Sequence, residues 1–286
     1  MKPAPFSYHA PTTVADAVAL LSRLSAEDGR IIAGGQSLVP MMAFRLARPR
    51  HVIDINAIPE LGRLAVENGR LAIGATVRHA AFETPLPGSG PLGRLLAEVA
   101  RSIAHPPIRA RGTFCGSIAN SDPASEWCLV SVATGAEITL QSARGIRTVP
   151  AAKFYTGAMT NALGGDELVI RAELPLLPDD ARFGFNEVSR RAGDFAMAAG
   201  LVLYRLANGR IADPRIGLAG VEPHPARIAA GEALLDGRAP DLELFRKVAA
   251  ACGAAVAPMD DEHMPAPYRR ELVAAVVERA LERSLA

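Results

Sequence analysis

Apolar side chains at Val14, Ala17, Val18, Leu20, Leu21 and Leu24 recur at helical spacing behind Thr12-Thr13, with Asp16 in the first turn. That pattern predicts a capped amphipathic helix, and Gly29 marks its exit. The apolar run Arg30 to Ala33 reads as a strand that breaks off at Gly34-Gly35. Leu38 to Leu46 has helical spacing and His51 to Ile55 is a second strand, which makes a small β-α-β unit over 1–57. From about Ile58 the texture changes. Leu64-Ala65-Val66 and Leu71-Ala72-Ile73 flank Asn68-Gly69, a hairpin signal, and Gly74 to Val77 extends the second of these strands. Leu92 to Ile103 is helical, and Pro106-Pro107 is expected to stop it. Asn120 to Pro123 reads as a tight turn and Ser125 to Ala133 as a helix carrying Trp127 and Leu129. Strands follow at Glu137 to Leu140, Gly145 to Val149 and Leu168 to Leu174, so 58–177 is a mixed α+β block.

Leu174 to Asp180 holds two prolines and an acidic pair and reads as a linker. Beyond it, Phe183 to Val188, Met197 to Leu206 and Arg215 to Val221 form a meander, with Asn208-Gly209 closing one hairpin. Three helical stretches near 229 to 235, 241 to 256 and 267 to 284 complete a third unit, 178–286.

Two glycine-bearing segments about eighty residues apart carry the chemistry. Ala33-Gly34-Gly35-Gln36-Ser37 and Gly112-Thr113-Phe114-Cys115-Gly116-Ser117 are each expected to follow a buried strand and to leave backbone N–H groups free for an anion. Neither a Gly-x-Gly-x-x-Gly nor a Gly-Lys-Ser/Thr phosphate loop occurs, so a pyrophosphate would be held from two separated segments.

Composition narrows the class. The 286 residues are 49% hydrophobic, with 30 acidic against 31 basic side chains and a formal net charge of +1. This is the profile of a globular protein with a large core and argues against a polyanion partner such as nucleic acid. The start of the chain lacks an apolar signal region and no stretch approaches a membrane span, which predicts a cytoplasmic protein. Cys115, Cys128 and Cys252 are odd in number and widely spaced, so neither a disulfide framework nor a four-thiolate cluster is expected. Redox chemistry in this chain would rest on an organic cofactor.

Ala33 to Leu38, followed by Arg45-Leu46-Ala47-Arg48-Pro49 and the Val52 to Ile55 strand, resembles the medium subunit of the molybdenum hydroxylases, the family of aerobic carbon monoxide dehydrogenase and xanthine dehydrogenase. The stretch Ile108 to Glu126 is similar to the family's other FAD loop, and Ser189-Arg190-Arg191-Ala192-Gly193-Asp194-Phe195-Ala196 to the motif opening its C-terminal domain. The resemblance implies a two-subdomain FAD-binding domain of the vanillyl-alcohol-oxidase (PCMH) type, 1–57 and 58–177. It also implies a C-terminal α+β domain, 178–286, with a three-stranded sheet and helices. Iron-sulfur clusters are implied on a small partner subunit and molybdopterin on a large one, in a dimer of heterotrimers, with electrons passing through this flavin to an external acceptor.

The same resemblance implies a site. Ala33, Gly34, Gly35, Gln36, Ser37 and Leu38 would hold the pyrophosphate with Thr113, Cys115, Gly116, Ser117 and Asn120. Asp122 and Glu126 would accept from adenosine or ribityl hydroxyls, Asp194 and Phe195 would lie near the flavin ring, and Leu168 and Val169 would pack on its apolar edge. No catalytic acid-base residue and no metal ligand is implied on this chain. Cys115 stands where relatives carry the first glycine of a pair. It reads either as a substitution that costs about 1 kcal/mol if φ is positive or as a thiol touching the cofactor, with only His105 near enough in sequence to activate it.

Plainer readings stand beside these. Gly34-Gly35 alone is an ordinary turn; Arg109 and Arg111 face either phosphate or solvent; Asp194 either meets the flavin or caps a turn beside Arg190-Arg191. His9, His51, His79, His105, His224 and His263 are read as surface or loop histidines, Cys128 as a small core residue, and the charges of the last helix as a solvated face. Two rival functions remain: a self-sufficient flavin oxidase or reductase of the same fold, and a scaffold that has lost its flavin.

Overall fold

The structure, a computed structural model, describes residues 2–259 and 264–285; the reading of His263 falls outside them. Strand β1 (Ser7–His9) leads to α1 (Val14–Leu24), whose cap forms as its sequence predicts: the Thr13 hydroxyl accepts the Asp16 N–H at 3.1 Å. Strand β2 (Gly29–Ile32), the short helix α2 (Leu38–Ala43) and β3 (His51–Asp54) complete a parallel sheet in the order β1-β3-β2. Helix α1 covers this sheet with Ala17, Val18, Leu21 and Leu24.

Strands β4 (Leu64–Glu67) and β5 (Arg70–Gly74) form the expected hairpin, with Asn68 and Gly69 at φ 51° and 71°. Contrary to expectation, β5 ends at Gly74. The Thr76 N–H turns to the Leu61 carbonyl at 2.9 Å and the Val77 carbonyl accepts the Phe114 N–H at 3.0 Å, which carries the chain toward the second glycine segment.

Helix α3 (Gly90–Ser102) ends before Pro106-Pro107, with Ala104 at φ 43°, and the prolines instead open the next helix, α4 (Pro106–Arg109). A missing N–H costs nothing at a helix start. Helices α5 (Phe114–Asn120) and α6 (Glu126–Thr134) follow, then β6 (Glu137–Ser142), β7 (Gly145–Pro150), α7 (Ala151–Phe154), β8 (Tyr155–Gly157), β9 (Thr160–Asn161) and β10 (Leu168–Pro175). The order β4-β5-β10-β6-β7 gives one antiparallel sheet.

The C-terminal meander is β11 (Ala181–Val188), β12 (Ala198–Ala207) and β13 (Arg210–Ala219), extended by the two-residue β14 (Ala226–Arg227). Helices α8 (Ala229–Leu235), α9 (Leu242–Ala255) and α10 (Ala266–Arg283) cover one of its faces. Alternation along β12 shows how the sheet serves two cores: Ala198, Val202 and Tyr204 pack toward α9 and α10, while Ala199, Leu201 and Leu203 pack into the core shared with the preceding domain. Helix α6 lies under that second face, and Trp127 through Thr134 are consequently buried on every side.

Candidate functional site

The first glycine segment does follow a strand. After β2 the chain turns at Gly35, φ 73°, and among the described residues no acceptor of the protein takes the backbone N–H of Gly34, Gly35, Gln36 or Ser37. The second segment follows helix α4, not a strand, and its glycines flank a helix start: the Thr113 hydroxyl accepts the Gly116 N–H at 3.0 Å and caps α5. The two segments touch. A Cβ placed on Gly34 would lie 2.3 Å from the Arg111 carbonyl oxygen and 2.6 Å from the Gly112 Cα, so only glycine fits there.

Between them opens a cleft of about 390 Å³, lined by Ala33 to Leu38, His79, Gly112, Thr113, Gly116, Ser117 and Asn120. Asn161, Leu163, Gly164, Gly165 and Glu167 close another side. The seam is tied by side chains that the sequence did not single out. Asn56 donates to the Ala33 carbonyl at 2.7 Å, and Arg78 donates both to Asn56 Oδ1 at 2.6 Å and to the Arg111 carbonyl. Glu167 is held by Arg147 at 2.6 and 2.5 Å and accepts the Gly164 N–H at 2.7 Å; the Arg147 hydrogen bonds keep its carboxyl below the usual range. Arg109 does not line this cleft. It pairs with Glu83 at 2.6 Å and donates to the Ile103 and Ala104 carbonyls.

Two of the sequence readings are overturned. His79 is 5% exposed and lines the cleft rather than sitting on the surface; its Nδ1 accepts the Trp127 indole N–H at 2.9 Å, and burial pushes its pKa down to about 4. Cys115 lies inside α5 with no positive φ and points into the core. Its thiol donates to the Ile73 carbonyl at 3.5 Å and burial pushes it up to about 12, so it is neither strained nor on the cleft wall.

The remaining predicted residues divide. Leu168 and Val169 are buried within β10 and do not line the cleft. Asp122, Glu126, Asp194 and Phe195 also lie off it, the first two just beyond the C-terminal end of α5, a helix spanning about 10 Å. There the Pro123 carbonyl accepts the Gly220 N–H at 2.8 Å, and the Ala196 carbonyl oxygen lies 2.7 Å from where a Cβ on Gly220 would stand. Asp122 caps its own turn, accepting the Ala124 N–H at 2.9 Å. Burial pushes Glu126 up to about 7, and burial with the Glu126 charge pushes Glu187 up to about 8. Among the described residues Asn186 Oδ1 and Glu187 Oε2 are buried without a hydrogen-bond partner, Glu187 on the α6 face of β11 and Asn186 on the opposite face toward α10. Phe195 is 76% exposed. Asp122 and Glu126 therefore stand together away from the cleft lining, while Gly193, next to Asp194, packs against His105 and Ala104.

A dinucleotide fits this chemistry: unpartnered main-chain amides and a glycine-only contact at the cleft, and an orphaned buried oxygen of Glu187 near Glu126. Residues 4–177 match the FAD binding domain in molybdopterin dehydrogenase, and residues 183–284 match the CO dehydrogenase flavoprotein C-terminal domain. The carbon monoxide dehydrogenase medium chain of Hydrogenophaga pseudoflava is 36% identical over 282 residues, covering 98% of this chain and 97% of that one. The caffeine dehydrogenase subunit beta of a Pseudomonas species is 37% identical over 291 residues, covering 99% and 96%. Among solved structures, a chain of the Hydrogenophaga pseudoflava carbon monoxide dehydrogenase superposes with a TM-score of 0.94 at 36% identity, covering 100% of this chain and 99% of that one. A chain of quinoline 2-oxidoreductase from Pseudomonas putida 86 superposes at 0.92 and 30% identity, covering 99% and 98%. The chain belongs to the family of FAD-binding medium subunits of the molybdenum hydroxylases.

Proposed function

We propose that this chain carries FAD between the iron-sulfur clusters of a small partner subunit and an external electron acceptor, in a cytoplasmic complex whose large subunit holds molybdopterin and which assembles as a dimer of heterotrimers. When bound, FAD supplies the redox chemistry; the protein's part is to hold and tune it. The free amides of Gly34 to Ser37 bind the diphosphate, the start of α5 at Thr113 to Ser117 forms the facing wall, and Asn56 and Arg78 keep the two segments at one spacing. Asp122, Glu126 and Phe195 serve the flavin half. The orphaned Glu187 Oε2, on a side chain close enough to feel the Glu126 charge, is a polar atom that a ligand would satisfy. The contact between Gly34 and Gly112 is the observation that carries the reading, because it brings two anion-binding loops from distant sequence to one cleft.

The relatives named for carbon monoxide, caffeine and nicotine are 36%, 37% and 36% identical to this chain. Near-equal similarity to subunits of such different enzymes supports a substrate choice made on the large partner. The Gly35→Asp variant tests the cofactor assignment, since a carboxylate would meet the diphosphate. The expected outcome is a folded, colourless protein where the parent is yellow; full flavin occupancy in the variant would remove the first loop from the site. Iron and molybdenum co-purifying with the tagged chain from its native cells would support the heteromeric reading, and a yellow chain alone with a turnover of its own would overturn it.

A further inference from the structure

We propose that His79 is a cofactor-binding residue: its neutral Nε2–H donates to a phosphoryl oxygen of the diphosphate in the cleft, and Trp127 is the positioning residue that holds it in that tautomer. This role presupposes the flavin reading above. An indole nitrogen is a donor only, so the nitrogen that accepts from it, Nδ1 at 2.9 Å, carries no proton of its own. A neutral imidazole then has its hydrogen on Nε2. Among the described residues no acceptor of the protein takes that hydrogen, although the ring is 5% exposed and borders the cleft. A nearly buried N–H left unpaired is costly, and a ligand oxygen would satisfy it.

The ring is aimed by more than one contact. Trp127 is fully buried, with its ring centroid 5.0 Å from that of Phe114 and 5.3 Å from that of Phe82. The His79 backbone N–H donates to the Gly112 carbonyl at 3.0 Å, which couples the ring to the second loop. A Cβ on Gly112 would lie 2.5 Å from Nε2, and Gly34 packs against the Gly112 Cα and the Arg111 carbonyl oxygen beside it. Nε2 therefore stands at the point where the two loops meet. The neighbouring cations Arg78 and Arg109 disfavour a second proton on the ring, as burial does, so the donor stays neutral.

The test uses the full-length chain, stripped of flavin and titrated with FAD, together with nitrogen-15 NMR of its histidines. In the parent protein the expected His79 signature is an unprotonated Nδ1 and a protonated Nε2. The Nε2–H resonance should shift with FAD and with ADP, which carries the diphosphate alone, and stay in place with riboflavin. His79→Leu should weaken FAD binding about tenfold to a hundredfold, the worth of a hydrogen bond to a charged oxygen, and His79→Gln, whose amide nitrogen falls near the Nε2 position, should recover most of it. If His79→Leu fails to fold, the NMR titration of the parent decides. An Nε2–H unmoved by FAD, equal losses in the Leu and Gln variants, or wild-type affinity in the Leu variant would each remove His79 from the site while leaving the flavin assignment standing. A parent chain that takes up no FAD would overturn both.

Discussion

At the scale of single residues, burial decides which side chains carry chemistry. All three thiols are buried and pushed up to about 12, Cys115, Cys128 and Cys252 alike. None should react with a disulfide reagent at pH 8 in the folded chain, and all three should react in denaturant; rapid labelling of Cys115 in the native protein would show that α5 opens. His79 makes a pH prediction. Its folded pKa, about 4, lies below the unfolded value of 6.5, so between these limits only the unfolded chain takes up the proton. Its contribution is fully present above pH 6.5 and is lost as the pH falls through 4. The loss is on the order of 3 kcal/mol, from two to three units at about 1.4 kcal/mol each. Glu126 and Glu187, raised to about 7 and about 8, act with the opposite sign, losing stability as pH rises through that range. Denaturant unfolding of the parent against His79→Gln isolates the histidine, and the gap between them should narrow by about that amount from pH 6.5 to 4.

At the scale of elements, a helix cap at the site can be told from one elsewhere. Thr113 caps α5 beside the cleft, and Asp241 caps α9 on the far side of the C-terminal sheet, its carboxylate accepting the Leu244 N–H at 2.8 Å. Replacing either by alanine should cost about 1 kcal/mol in chemical denaturation. Only Thr113→Ala should also lower FAD occupancy, because only that helix start forms part of the cleft; equal flavin loss in both variants would mean that occupancy merely follows global stability. Most elements were legible in the sequence because their signals are local. Thr13 ahead of an apolar stripe, Asn-Gly at 68–69 and 208–209, and the apolar spacing of 229–235 each specify a cap, a turn or a helix without reference to distant residues. Glycines predict a turn over Gly112 to Ser117, whereas the Thr113 cap and burial of Phe114, Cys115 and Ile118 make Phe114–Asn120 a helix. That difference turns Cys115 inward.

At the scale of the whole molecule, one core runs through the domain boundary. Phe185, Leu201, Leu203 and Ala219 of the C-terminal sheet belong to the same cluster as Trp127 and Leu129 of α6. The full chain should therefore unfold in one cooperative transition. A chain truncated after residue 178 should expose the face of α6 and bind a hydrophobic dye or self-associate in sedimentation; a monomeric, dye-free 1–178 fragment would show that the shared core is not needed for folding.

Chain-local chemistry determined much on its own: the α+β class, the element order, and the two glycine segments with the residue types that an anion requires. Only tertiary structure decided that Gly34 rests on Gly112, that Arg78 and Asn56 tie the loops, and that Glu167 closes the cleft. It also placed His79 under Trp127, forty-eight residues away in sequence. A turn or a cap is set by neighbours along the backbone, but a histidine's tautomer and exposure are set by whichever side chain packs against it, and nothing in the order of residues near position 79 names an indole at position 127 as that neighbour.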